Sequence, residues 1–167
     1  MRPSMSVLSR ASACILLAML GACQGSPISG PPEMRLGRHE CVHCGMLVSE
    51  DRCSTAQLVD DGGRRDYLFY DDIGCMLDNE HEGGTPQVLE RYVHDYNTRQ
   101  WVRAEEATFV FAHPKQLHTP MGSGMVAFAE RVDAQHAAKP LDAKVMTFEQ
   151  LTAARREYMD KHFGPAK

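Results

Sequence analysis

Turn signals separated by β-rich runs constrain the fold of this chain more than any other feature. The sequence DDGG at residues 60–63 lies between two runs rich in β-branched and aromatic residues, at 55–59 and 67–70. This pattern predicts a β-hairpin. The following segment, DDIGCMLDNEHEGG, predicts a short helix, because Asp71 or Asp72 can cap its start and the glycines at 83–84 can end it.

The second half of the chain repeats this succession of strands and helices. Strands are predicted at residues 88–96, 100–103, 107–112, 125–129 and 143–148, with a Gly- and Pro-rich loop at 113–124 and a helix over 130–139. Thr147 and Gln150 form a capping-box signature for a last helix that ends at 164–165. The sequence therefore predicts an α+β fold of two ββα-like units with mostly antiparallel strands.

The N-terminus has the features of a bacterial lipoprotein signal. The apolar run ASACILLAML, residues 11–20, is shorter than the ~20 residues that span a bilayer. It is followed by LGAC, which resembles a lipobox. We predict a signal peptide at 1–22, lipidation of Cys23, a flexible anchored linker at 23–36 and one domain at 37–167. Gln24 after the cysteine favours the outer membrane over the inner one.

Charge limits the range of partners. Cleavage removes Arg2 and Arg10 and leaves 16 Lys and Arg against 22 Asp and Glu, so the net charge changes from −4 to −6. Nucleic-acid binding needs a basic face, and we therefore predict no nucleic-acid partner. An acidic chain suits the binding of a cation.

The segment HECVHCGMLVSEDRC, residues 39–53, concentrates sulfur and imidazole side chains. A c-type haem anchor needs C-x-x-C-H, whereas a glycine follows Cys44. A structural zinc site needs a second ligand pair, which Cys53 and Cys75, 22 residues apart, do not form. A zinc site with a distant ligand, a redox-active dithiol and a structural disulfide all remain open from spacing alone.

Methionines near these cysteines favour a soft metal. Met46 lies two residues after Cys44, and Gly45 between them allows a tight turn. Thiolate and thioether sulfur select Cu(I) over hard cations. Met121 lies in a Pro/Gly loop, where it has little core to fill. Cys75 and Met76 diverge by about 100° on a helix, so one of them is expected in the core.

Four motifs, taken together, resemble the NosL family. They are CVHCGM at 41–46, FYDDIGCML at 69–77, VHDYNTRQWVRAEEATFV at 93–110 and TPMGSGMVAF at 119–128. The resemblance implies a lipid-anchored, periplasm-facing copper chaperone, which is not an enzyme. It further implies Cu(I) delivery to nitrous oxide reductase or its maturation machinery, for assembly of the copper–sulfide centre. The implied fold is similar to a domain of organomercurial lyase.

The resemblance also implies a set of metal ligands. Matched motif by motif, these are Cys44, Met46 and Met121, with Cys41, His118 and Cys75 as further candidates. The competing hypothesis is a periplasmic C-x-x-C thiol–disulfide oxidoreductase or a zinc-binding protein.

Overall fold

The computed structural model describes residues 28–164. The predicted signal peptide and the predicted lipidation site Cys23 lie outside the described residues. The described strands and helices are β1 (Thr55–Asp61), β2 (Arg64–Tyr70), α1 (Ile73–His81), β3 (Gln87–His94), β4 (Trp101–Arg103), β5 (Thr108–Phe111), β6 (Met125–Phe128), α2 (Arg131–Ala138), β7 (Lys144–Met146) and α3 (Phe148–Phe163).

The first sheet has the strand order β2-β1-β3-β4, with antiparallel pairing throughout. The predicted hairpin is confirmed: β1 and β2 pair from Thr55 with Tyr70 to Asp61 with Arg64. Gly62 and Gly63 both have positive φ, +63° and +91°, and glycine is favoured in this region because it lacks a Cβ. The hairpin leads directly into α1.

The second sheet has the order β6-β5-β7 and is also antiparallel. The chain crosses from the first sheet to the second near Asp95. The amide of Tyr96 donates to the carbonyl of Ala127 at 2.8 Å, and the Asp95 carboxylate accepts from the amide of Ala129 at 2.7 Å. These bonds tie the end of β3 to β6.

Helix boundaries follow local capping chemistry. Asp72 caps α1 by accepting from the amide of Gly74 at 2.6 Å. Thr147 and Gln150 form the predicted capping box at the start of α3, which ends before Gly164. Arg155 of α3 makes two 2.7 Å bonds to Asp78 of α1, so the two helices are joined by a bidentate ion pair.

Two clusters of buried side chains form the interior. One lies under α1 and α3 and includes Tyr70, Met76, Phe109 and Leu151, all with no exposed surface. The other lies under α2 and contains Val110 and Phe128 among its members. The predicted α+β class with antiparallel strands is confirmed. No helix within residues 28–164 has the length and apolar character needed to cross a bilayer.

One part of the predicted linker needs correction. Its second half, residues 28–36, lies against the first sheet rather than apart from it. Trp101 donates its indole N–H to the carbonyl of Pro32 at 3.1 Å, and the Tyr67 hydroxyl donates to the carbonyl of Gly30. Pro32 is buried. Composition alone predicted a free segment because these donors from β2 and β4 are distant in sequence.

Candidate metal centre

Three cysteine sulfurs meet beneath the surface. The Sγ atoms of Cys41, Cys44 and Cys75 lie within 4.8 Å of one another. Cys41 and Cys75 are buried, with 1% and 4% exposure, whereas Cys44 is partly exposed. Two of these sulfurs come from the loop before β1 and the third from the first turn of α1. Tertiary packing therefore adds a third thiol to the C-x-x-C pair.

The loop that carries Cys41 and Cys44 is a tight turn closed by its own backbone. The amide of Cys41 donates to the carbonyl of Met46 at 2.7 Å, and the amide of Gly45 donates to the carbonyl of Cys41 at 2.8 Å. Gly45 has φ +74°, in the left-handed region where glycine avoids strain. The tight turn predicted at Gly45 is therefore present.

Met121 reaches the same place from the loop between β5 and β6. Its Sδ atom lies 4.0 Å from the Sγ atom of Cys44, although 77 positions separate the two residues. The Met121 side chain remains 40% exposed. The structure thus brings together two of the predicted ligands at the mouth of the cysteine cluster, while their binding of a metal stays a prediction.

The predicted ligands Met46 and His118 are more exposed than the buried cysteines. Met46 is 54% exposed and sits on the same turn as Cys44. His118 is exposed. His43, inside the C-x-x-C loop, has its Nδ1 atom 3.8 Å from the Oε2 atom of Glu82. Within the described part of the chain, the close group of ligand atoms contains the three cysteines and neither histidine. The structure therefore does not bring His118 to the cysteines.

Hydrogen bonding within the cluster lowers the pKa of Cys41, the least exposed of the three cysteines. The Cys75 S–H donates to Cys41, and this bond lowers the pKa of Cys41 to about 5 against the opposing effect of burial. The same bond, with burial, raises the pKa of Cys75. Burial also raises the pKa of Cys44. These shifts favour Cys41 over Cys44 and Cys75 as the site of a thiolate.

Cys53 does not belong to the cluster. It is buried in the core under α2, with its Sγ atom 3.6 Å from Glu50 Oε2. Burial raises its pKa, which makes it an unreactive thiol. The four cysteines among residues 28–164 are all free thiols.

Sequence reasoning gave Cys41 and Cys75 less weight than the structure does. Of the adjacent pair on α1, Met76 is the fully buried core residue and Cys75 faces the cluster. The signal in the sequence was the position of Cys75 in the first turn after the capping aspartate. Spacing alone did not show that this turn lies against the C-x-x-C loop.

Comparisons with known proteins agree with this fold. No curated protein sequence matches the chain. A crystal structure of the copper chaperone NosL from Shewanella denitrificans is 23% identical, with a TM-score of 0.61, and the match covers 74% of this chain and 99% of that one. At this identity the match shows a shared fold. The NosL family model matches residues 35–155, well over half of the sequence, so the chain belongs to the NosL family.

Proposed function

We propose that this protein binds Cu(I) through cysteine and methionine sulfur and releases it to a partner protein. In full, it is a lipid-anchored, periplasm-facing protein of the outer membrane that supplies copper for the copper–sulfide centre of nitrous oxide reductase. It acts as a carrier and not as an enzyme. Membership of the NosL family and the fold shared with a copper chaperone support this proposal.

The observation that carries the proposal is the convergence of four sulfur atoms from three separate segments. Cys41, Cys44 and Cys75 form the buried side, and Met121 lies 4.0 Å from Cys44 on the open side. Sulfur donors of this kind select soft monovalent copper, whereas Mg²⁺, Ca²⁺ and Mn²⁺ take oxygen ligands. One thiolate matches the single charge of Cu(I), which lowers the cost of burying the ion.

The difference in exposure across the site supports release as well as binding. Cys44 and Met121 are reachable from solvent, whereas Cys41 and Cys75 are closed off behind them. A thiol or thioether of a partner protein can approach the ion from the exposed side and take it over ligand by ligand. The buried pair keeps the ion from solvent until the exchange.

Anaerobic Cu(I) titration against a competing chelator tests the ligand set. We expect Cys44→Ser to abolish tight binding and Met121→Leu to weaken it by about tenfold, or ~1.4 kcal/mol. Met159→Leu and Cys53→Ala are matched controls, since Met159 lies on α3 and Cys53 in the other core cluster. Equal affinity for Met121→Leu and the wild type, or equal losses in the controls, would contradict the assignment.

A thiol–disulfide oxidoreductase is the second candidate, because the pKa of Cys41 is lowered to about 5 by its bond from Cys75. Its burial argues against this activity, since a nucleophilic thiolate must reach its substrate. Turnover of a disulfide substrate decides between the two. An oxidoreductase would lose turnover in Cys41→Ser and keep it in Met121→Leu. A copper carrier should show no turnover in the wild type or in either variant.

Delivery and anchoring need a test in cells. A strain without this protein should make nitrous oxide reductase that lacks its copper–sulfide centre, and the wild-type gene should restore the centre where Cys44→Ser does not. Replacing Cys23 by serine should move the protein from the membrane fraction to the soluble fraction. Normal reductase in the deletion strain would overturn the proposed delivery.

A further inference from the structure

Two neighbouring aspartates at the start of α1 hold the two loops that form the sulfur site. Asp71 accepts from the amide and hydroxyl of Ser49, at 2.8 and 3.2 Å, just beyond the turn that carries Cys44. Asp72 accepts from the hydroxyl of Thr119 at 2.7 Å and from the amide of Met121 at 3.2 Å. The amide of Met121 is thus bonded directly to the residue that caps α1.

We propose that Asp72 is the positioning residue for the thioether of Met121. Its Oδ2 atom fixes the backbone of the methionine loop on α1, and this places Met121 Sδ 4.0 Å from Cys44 Sγ. The inference rests on the proposed function, because it takes Met121 as a ligand of Cu(I). It adds a residue that binds no metal but determines whether one ligand is in place.

The Asp72 carboxylate is fully used in this role. The side chain has no exposed surface, and each of its two oxygens accepts different bonds. Oδ1 accepts from the amide of Gly74 at 2.6 Å, and Oδ2 accepts from the hydroxyl of Thr119 and the amide of Met121. Burial of a carboxylate is unfavourable unless hydrogen bonds replace its water. These three donors replace that water, and two of the three belong to the methionine loop.

Thr119 connects Asp72 to the rest of the loop. It donates its hydroxyl proton to Asp72 and accepts from the amide of Gly124 at 3.2 Å, which closes the loop on itself. Thr119 has no exposed surface. Loss of this hydroxyl would remove one of the two bonds from the loop to Asp72 and leave the helix cap unchanged.

Close packing reinforces the same contact. A Cβ atom added at Gly74 would lie 2.7 Å from Cβ of Ser123, so the loop rests directly on the first turn of α1. Cys75 follows Gly74 in this turn. The contact therefore holds the methionine loop against the turn that carries Cys75.

Pre-positioning decides how much a neutral thioether contributes to binding. The Met121 side chain is 40% exposed. A ligand on an untethered loop loses conformational entropy when it binds, and a tether removes part of that cost. Loss of the Asp72 bonds should therefore have the same effect on affinity as loss of the Met121 sulfur itself.

The test is a double-mutant cycle on the mature full-length chain in detergent, with Cu(I) as the probe. Asp72→Asn keeps the cap, because asparagine caps helices as well as aspartate, but it turns an N–H group towards the amide of Met121. Thr119→Val removes only the hydroxyl. We expect each to lower Cu(I) affinity by about tenfold, the same loss as in Met121→Leu, with one sulfur fewer at the copper in X-ray absorption.

The background of Met121→Leu separates positioning from general damage. In that background neither Asp72→Asn nor Thr119→Val should lower affinity by more than about twofold, the error of additive effects. Asp95→Asn is the matched control: it alters another buried aspartate that caps a loop, away from the sulfur site. The proposal would be overturned if Asp72→Asn or Thr119→Val lowered Cu(I) affinity as much in the Met121→Leu background as in the wild type. Wild-type affinity in both single variants would also overturn it.

Hydrogen exchange of the metal-free protein gives a readout that does not depend on copper. The amide of Met121 should lose protection in Asp72→Asn and Thr119→Val and keep it in Asp95→Asn. Unchanged protection would overturn the positioning role by itself. If the wild type fails to bind Cu(I) while the amide of Met121 still loses protection in the two variants, the proposed function is overturned. The role of Asp72 in holding the loop is then confirmed.

Discussion

Cys41 is the one cysteine of the cluster whose pKa is lowered, and this gives a direct spectroscopic prediction. The Cys75 S–H bond lowers the pKa of Cys41 to about 5, from an ordinary value of 9.0, although burial opposes this change. Thiolate absorbance near 240 nm, followed against pH in the metal-free protein, should show one group that titrates in this acidic range. In Cys75→Ala the donor is lost, so the pKa of Cys41 should rise.

The control for this titration is Cys53→Ala, which removes a thiol whose pKa burial raises. That variant should leave the acidic transition unchanged. An acidic transition that persists in Cys41→Ser would assign the thiolate to another cysteine.

The conformation and contacts of single residues could be predicted from the sequence only where a local pattern determines them. Gly45 between a cysteine and a methionine indicated a tight turn, and the structure shows φ +74° there. The proximity of Cys44 and Met121 followed only from the family resemblance, since a separation of 77 residues leaves no local signal. Cys41 and Cys75 were predicted only as further candidate ligands, because their meeting depends on how α1 packs against the preceding loop.

At the scale of elements, the methionine loop between β5 and β6 contains two glycines that differ in one respect. Gly122 and Gly124 have nearly the same φ, +68° and +69°. An added Cβ meets nothing within 4 Å at Gly122, whereas at Gly124 it overlaps the carbonyl oxygen of Ala112. The pair therefore separates backbone strain from steric overlap within one loop.

We expect Gly122→Ala to cost about 1 kcal/mol of unfolding free energy, the usual strain of a left-handed residue with a side chain. Gly124→Ala should cost more and should also weaken Cu(I) binding, because relief of the overlap moves the loop that carries Met121. Urea unfolding and Cu(I) titration of both variants measure these effects. Equal unfolding free energies for the two variants would contradict the expectation.

Elements were predicted well where their ends are coded locally. The DDGG turn and the capping box of α3 each lie within a few residues, and both formed as expected. The 3₁₀ turn at Asp51–Cys53 was not predicted, since no periodicity marks three residues. The docking of residues 28–36 was missed for a different reason: the side chains that hold this segment lie on β2 and β4.

The whole molecule depends on the junction between its two sheets, which sequence patterns do not encode. β1 pairs with β3 although β2 and α1 lie between them in the chain, and β5 belongs to a second sheet. Both arrangements depend on contacts between residues that are distant in sequence. Asp95 stands at that junction. Its carboxylate accepts from the amides of Asn97 and Thr98 in its own turn and from the amide of Ala129 after β6.

These bonds make the junction sensitive to acid. Burial raises the pKa of Asp95, but the hydrogen bonds from Ala129, Thr98 and Asn97 outweigh it, so the folded pKa lies below the ordinary value of 3.8. A lowered carboxyl pKa contributes stability that is fully present above 3.8 and is lost as the pH falls through the folded value. Below that value the protonated carboxyl no longer accepts these bonds as strongly.

Asp95→Asn should therefore destabilise the protein by about 1.5–3 kcal/mol near pH 6, the range for hydrogen bonds to a charged group. The difference in unfolding free energy from the wild type should shrink as the pH is lowered through and below 3.8, where the wild type loses the same charge. Urea unfolding at a series of pH values measures this difference. If this difference in unfolding free energy stays constant down to the lowest accessible pH, the charge of Asp95 does not stabilise the junction. Its bonds to the second sheet are then no stronger than those of a neutral amide.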